Sequence, residues 1–431
     1  MGEAATLHSL PSSRAKVFGT LFQGYDGPAF SIRLWDGWQW TSRLGERHVF
    51  TIAIESPEAL ALFLCSPNEI TLGEAFIHRA LDIEGDLFAV FPVVEYLLNR
   101  PRGLKQRLTE SVLRTAAGAG RWLRHGPRSS MRRDRSCISY HYDQPVEFFR
   151  PWLGNSLVYS CGYFRTASDS LDLAQTQKLE TICRKLRLRP EERLLDIGCG
   201  WGSLVLHAAR EHQAHAHGIT LSQGQAEVAK RRIEEAGLGG SCSVDLRDYR
   251  QCEHLNGTFD KIASVGMYEH VGLKNLPEYF SIARQLLRPG GTFLNHGIAR
   301  SSASPLRKDS FIERYAFPDG RLVTLPQALQ AAEDAGLEVR DVENLREHYE
   351  RTLRCWVEGL QKNASALLTH VPESTYRIWL LYMAGSAAAF RRGDIAVYQV
   401  LHSRPERGHS QLPLVREDWY SDSRQRQLSC A

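Results

Sequence analysis

From Leu171 onward the chain alternates short apolar runs with amphipathic stretches. ERLLDIGCG reads as a strand entering a glycine turn, WGSLVLHAAREH as a helix and AHAHGITLS as a second strand. A helix over Gln225 to Ala236 follows, then SCSVDLRDY as a third strand and FDKIASVGM as a fourth. LPEYFSIARQLLRPGG reads as a helix closed by Pro–Gly–Gly, TFLNHGI as a fifth strand, and LEVRDVENL and DIAVYQVLHS as late strands. Such alternation predicts an α/β fold, a doubly wound and mostly parallel sheet covered on both faces. Residues 17–95 differ: FSIRLW and HVFTIAIES are short β-type runs, and LFAVFPVVEYLL is an apolar helix. They predict a small α+β module over 1–98.

Composition narrows the class. With 43% hydrophobic, 24% charged and 10% aromatic residues, the 431-residue chain is not disordered and suits two or three domains. It contains no run of 18 uncharged apolar residues and no signal-type apolar core near its start. Nine cysteines are scattered without a CxxC pair, which argues for a reducing, cytoplasmic compartment and against a zinc cluster, so no metal is expected. The formal charge of +4 hides a strong asymmetry. Asn99 to Arg135 holds eleven basic and two acidic residues, a net +9, which leaves about −5 for the rest. That stretch contains one aromatic residue, Trp122, which speaks against a nucleic-acid interface. A solvated linker and a surface for anionic lipid both explain it.

The sharpest motif is Gly198, Gly200 and Gly202, spaced GxGxG between a strand and a helix and preceded by Asp196. The third glycine comes one residue earlier than in a dinucleotide fingerprint, and the carboxylate suits a cationic α-amino group better than phosphates. S-adenosylmethionine is therefore favoured over NAD, with a merely tight turn as the plain alternative. Thr220 and Gln225 are placed to bond ribose or methionine groups, while Ser222 reads as an ordinary helix N-cap. Asp248 is positioned to read an adenine amino group or is a surface turn acid. Glu269, His270 and His296 follow strands four and five and so face the crevice where ligands bind in doubly wound sheets. Cys161 lies in the apolar run LVYSCGYF. Taken one at a time, packing explains Cys161, Glu269 and His296 better than catalysis does.

Taken together, YSCGYF, LLDIGCGWG, GITLSQGQ, VGMYEHVG, RPGGTFLNHGI, FIERYAFPDG and HYERTLRCW resemble, in order and spacing, the cyclopropane-fatty-acid synthase family of class I S-adenosylmethionine-dependent methyltransferases. The resemblance runs from about Ile138 to His402, and the first 95 residues look like the lipid-associated module of longer bacterial members. It implies a catalytic domain over 138–431 with an antiparallel last strand, a basic linker over 99–137 and a lid at about 299–325, hinged at Pro318-Asp319-Gly320. It also implies a bicarbonate ion held by Cys161, Glu269, His296, Tyr349 and the Ile298 N–H. Donor contacts would fall on Tyr159, Ser160, Asp196, Gly198, Gly200, Gly202, Thr220, Gln225 and Asp248.

The expected reaction passes a methylene from the donor to the cis double bond of a phospholipid acyl chain and closes a cyclopropane. A methyl- or methylene-branched product is the nearest rival, and amine N-methylation a further one. Tyr163, Phe164, Tyr268, Phe280, Phe311, Tyr315 and Phe317 are candidates for an acyl tunnel, although most aromatics at such spacing simply build core. The partners implied are unsaturated phospholipid chains and an anionic membrane surface, with peripheral attachment to the inner face of the membrane and a homodimer in keeping with longer relatives. One departure stands out: Ser386 occupies a place where relatives often carry Cys.

Overall fold

The computed structural model describes residues 13–65, 67–99, 144–303, 310–316 and 322–420. The basic segment from Arg100 onward, the start of the catalytic domain at Ile138, Phe317 and the Pro318–Gly320 hinge lie outside the described residues. Among the described residues, no helix is long and apolar enough to cross a membrane.

The first layer is a four-stranded sheet of β1 (Phe30–Leu34), β2 (Gln39–Thr41), β3 (Phe50–Ile54) and β4 (Leu81–Gly85), ordered β2-β1-β3-β4. β1 and β3 are parallel and the outer pairs antiparallel. The larger sheet comprises β5 (Arg193–Ile197), β6 (His215–Thr220), β7 (Cys242–Leu246), β8 (Phe259–Val265), β9 (Leu287–Arg300), β10 (Glu338–Asn344) and β11 (Ile395–Ser403). Its order is β10-β11-β9-β8-β5-β6-β7, and only β11 runs against its neighbours. This is the seven-stranded, mostly parallel sheet of class I methyltransferases. Helices cover both faces, so the central strands are buried on both sides. That is why β5 and β8 are buried residue after residue rather than on alternate positions, even at Asp196, Asp260 and Lys261.

Local chemistry sets the helix ends. Ser170 caps the Leu171–Leu186 helix by accepting from the Leu173 N–H, and Ser222 caps Gln223–Glu235 through the Gln225 N–H. Thr324 and Gln327 form a capping box at Leu325–Asp334. The Pro–Gly–Gly sequence does not simply close a helix. β9 begins at Leu287, straight after the Leu276–Leu286 helix, and its pairing with β8 shifts register between Phe259 and Lys261. Pro289 donates no ladder bond and Gly290 takes a φ of +78°, so the surplus residues bulge out without ending the strand.

The small module is not a separate bead. One cluster of buried residues runs from Phe30 and Phe50 of its sheet to Trp152, Trp356 and Met383 beside the large one. Arg377, on the Glu373–Arg392 helix, donates to the Phe76 carbonyl at 2.6 Å, pairs with Asp82 at 2.9 Å and stacks over the Phe76 ring. The short Phe311–Tyr315 helix is pinned to the module as well. The Phe311 N–H donates to Glu69 at 2.9 Å and the Tyr315 hydroxyl to Glu74 at 2.6 Å.

Candidate active site

Between β5 and β8 the strand order reverses, and a cavity of about 150 Å³ opens at their carboxyl ends, where ligands bind in doubly wound sheets. Tyr159, Ser160, Asp196, Gly198, Gly200, Thr220 and Gln225 line it. Gly198 has a φ of +84°, and a Cβ there would stand 2.9 Å from the Met267 side chain, so the turn needs glycine. Its N–H and that of Cys199 both donate to the Ile219 carbonyl, which ties the turn to β6. Gly202 does not line the cavity. It is the N-cap of the Ser203–His212 helix, at a φ of +78°. Thr220 donates to the Gln225 side chain at 2.9 Å, so the two act as a pair.

Asp196 is buried and its Oδ1 has no hydrogen-bond partner. Burial pushes this carboxyl up to about 7, against the lowering effect of the nearby Lys178 ammonium. A buried acceptor left open in a cavity fits a cationic donor group such as an ammonium. Sequence reasoning missed Lys178. It is buried, donates to the Ser160 hydroxyl at 3.0 Å, and is lowered to about 8 by burial, while the carboxylate of Asp196 opposes that shift. Gln175, one turn earlier, donates to the Ser160 carbonyl at 2.9 Å. A signal was present: Ala174, Lys178 and Ile182 recur at helical spacing, which places a lysine on a buried stripe.

Asp248 behaves differently from the expectation that it reads an adenine amino group. Both its oxygens are taken by the Arg250 guanidinium, at 2.9 and 2.7 Å, and it caps the turn Tyr249–Gln251. That turn folds Arg250 back onto the carboxylate, and Tyr249 and Arg250 line the cavity instead.

Beyond β8 and β9 lies a second polar group. Glu269 is half-buried with its carboxylate enclosed, burial raises it to about 7, and its Oε1 accepts from the Ile298 N–H at 2.7 Å. The Ile298 amide is therefore spent on Glu269 rather than left open as a separate donor, because a buried carboxylate captures the nearest N–H. Glu269 Oε2 and His296 Nε2 are both buried without a partner. His296 is held far below its usual range by burial and by the charges of Lys178 and Lys185, so it is neutral. Gln399 places its amide nitrogen 3.1 Å from His296 Nδ1, and this orientation puts the ring proton on Nε2. The Cys161 thiol is fully buried, is pushed well up by burial and stays protonated; its Sγ lies 3.8 Å from the Leu345 carbonyl. One turn along, Tyr349 bonds its N–H to the same carbonyl and packs on Phe390, with ring centroids 4.7 Å apart. Cys161, Ile298 and Tyr349 belong to one packed cluster. An open carboxylate oxygen, an open imidazole N–H and a neutral thiol fit a small hydrogen-bonding anion.

Gly297 lets this corner close. A Cβ there would fall 1.9 Å from the Tyr268 ring, whose hydroxyl donates to the Ile298 carbonyl at 3.0 Å. Tyr382, also unforeseen, is hydrogen-bonded to Tyr159 and to Ser386, and Glu269 acts on it electrostatically. Ser386 thus takes part in the same network through its hydroxyl.

A larger cavity of about 390 Å³ lies between the small module and the Glu373–Arg392 helix. Leu72, Phe76, Val90, Phe91 and Val94 line one wall, with Phe311, Leu381, Gly385 and Ala389 opposite, and charges of both signs stand at its edge, Arg392 being paired with Asp394 at 2.7 Å. Leu381, Gly385 and Ala389 recur every four residues, while Tyr382 and Ser386 occupy the adjoining face. Of the aromatic residues expected to line a tunnel, Phe311 does so. Tyr315 bonds to Glu74 at the module contact, and Phe280 is core under the other face of the sheet. Tyr163 and Phe164 stack on His348, and Tyr268 packs on Gly297.

Residues 129–400 match the profile of the mycolic acid cyclopropane synthetase family. The chain belongs to that family. A protein of Pseudomonas putida named "Probable fatty acid methyltransferase" is 39% identical over 394 residues, covering 90% of this chain and 95% of that one. The cyclopropane-fatty-acyl-phospholipid synthase of Escherichia coli (strain K12) is 38% identical over 264 residues, 61% of this chain and 66% of that one. Among solved structures, the mycolic acid cyclopropane synthase CmaA1 complexed with SAH and CTAB superposes with a TM-score of 0.59 at 31% identity, over 62% of this chain and 97% of that one. Family membership makes the chain an S-adenosylmethionine-dependent methyltransferase, and the cavity beside Gly198 and Asp196 is where its geometry suits the donor.

Proposed function

We propose that the protein transfers a methyl group from S-adenosylmethionine to the cis double bond of a phospholipid acyl chain and closes a cyclopropane ring. The observation that carries this reading is the Glu373–Arg392 helix, which lines the apolar cavity with Leu381, Gly385 and Ala389 while Tyr382 on its adjoining face bonds Tyr159, a wall of the donor cavity. The apolar cavity suits an acyl chain. In the reaction the donor's carbon–sulfur bond breaks, a carbon–carbon bond forms, and the resulting cation loses a proton from the new methyl as the ring closes. That proton needs a base in a dry site. Bicarbonate would supply one, held by Glu269, His296, Cys161 and Tyr349, with Ile298 fixing the Glu269 carboxylate through its amide. Asp196 pairs with the donor's ammonium, and Lys178 orients Ser160 beside it. The +9 segment would draw the enzyme to anionic membrane surfaces.

A second reading is a methyl- or methylene-branched product, supported by the named fatty acid methyltransferase whose match extends over 90% of this chain. Mass spectrometry of membrane lipids from expressing cells tests both. We expect one CH2 gained per unsaturated chain, in a form that derivatisation identifies as a ring. A branched product would overturn the first reading, and unchanged lipids would overturn both.

Donor binding should depend on pH. Asp196 is protonated below about 7 and must ionise to pair with an ammonium. The donor Kd is therefore expected to rise about tenfold per pH unit below 7 and to level off above it. Calorimetry from pH 5.5 to 8 checks this, and Asp196→Asn should bind more weakly with a flat profile.

A further inference from the structure

Away from both cavities, metal-ligating side chains converge between the Leu171–Leu186 and Ser203–His212 helices. Cys183 is fully buried, and its Sγ and one ring nitrogen each from His207 and His212 all lie within 4.8 Å of one another. Glu180, one helical turn before Cys183, presents Oε2 to both imidazoles, at 3.2 Å from His207 Nε2 and 3.0 Å from His212 Nε2. Its other oxygen is held by Arg184 at 2.6 Å. The side chains of Glu180, His207 and His212 are 26%, 11% and 17% exposed, so the cluster is sheltered but reachable.

We propose that Cys183, His207, His212 and Glu180 form a four-coordinate site for a divalent transition metal, with zinc the best match. One thiolate, two imidazoles and one carboxylate are ligands that zinc accepts in tetrahedral sites. With metal–ligand bonds of about 2.0–2.3 Å, tetrahedral ligand atoms stand about 3.3–3.7 Å apart, so Cys183, His207 and His212 close by roughly one ångström of side-chain rotation, while Glu180, already against both imidazoles, turns further to come within reach of the same ion. On binding, the Cys183 thiol gives its proton to solvent. Each imidazole keeps one proton, moved to Nδ1, so that Nε2 ligates. Thiolate and carboxylate together neutralise the dication, and Arg184 stays on the outer carboxylate oxygen. The ligands come two from each helix, at spacings of three and five residues, and so leave no short cysteine motif in the sequence. One of these helices carries Gln175 and Lys178 to Ser160, and the other starts at Gly202. A metal here would clamp the two helices that flank the donor turn.

Full-length protein stripped by chelator and titrated with Co2+ tests the site. We expect one equivalent to give a sulfur-to-cobalt charge-transfer band with the strong visible absorption of four-coordinate cobalt, removed by added Zn2+. Cys183→Ser should lose the charge-transfer band, and the His207→Ala/His212→Ala pair should weaken binding at least about 100-fold. Should those variants fail to fold, differential alkylation of the wild type in mild denaturant serves instead, with Zn2+ protecting Cys183. No sulfur-to-metal band in the wild type, a band that persists in Cys183→Ser, or alkylation of Cys183 indifferent to Zn2+ would each overturn the proposal.

Discussion

A Glu269→Gln enzyme is expected to lose about 10²–10⁴-fold in turnover while its donor Kd moves by less than about threefold. Gln keeps an oxygen for the Ile298 N–H, so the local fold should hold, but it removes the open carboxylate oxygen proposed to face the anion. Thermal stability should stay level or rise, because ionising Glu269 in its buried position is costly, as its elevated pKa of about 7 reflects. Added bicarbonate should not restore the rate. Single-turnover kinetics, donor calorimetry and Tm distinguish these outcomes, and unimpaired turnover would remove Glu269 from the mechanism.

The second large effect is expected at Gly385. This residue lines the apolar cavity, and a Cβ there would meet only the Phe91 ring, at 3.5 Å, an ordinary contact. Gly385→Ala should therefore be tolerated, with a gain of about 0.5–1 kcal/mol from helix propensity. Gly385→Phe would drive a ring into the space proposed for the acyl chain. Turnover on long-chain lipid should fall at least about 100-fold, with donor affinity and Tm close to wild type. Normal turnover in a folded Gly385→Phe enzyme would place the acyl chain elsewhere. Because Gly385 faces the cavity and Ser386 the Tyr159–Tyr382 network, the neighbouring substitution Ser386→Ala makes a useful contrast.

Much of the architecture was legible in the chain, because strand and helix periods and turn glycines are local properties. ERLLDIGCGWG specifies a buried strand, a turn with positive φ and a helix start within a dozen residues. Ser222 was readable as a helix N-cap for the same reason. The bonding of the polar groups was not. Asp248 could not be assigned to Arg250, nor the Ile298 amide to Glu269, from spacing alone. A charged or polar group takes whichever partner the fold brings nearest, and burial raises the cost of having none.

The sequence by itself therefore determined the α/β class, the glycine turn and the residue types available to the site, since backbone conformation and amphipathic faces follow from short-range sterics and periodicity. Only the tertiary structure decided that Lys178 reaches Ser160 beside Asp196, and that Glu269 and His296 keep buried atoms open. It also decided that the small module closes an apolar cavity against Gly385, and that Cys183 meets two histidines of the next helix. Each of these depends on what lies across an interface, and a helix's period fixes which face it presents but not what meets that face.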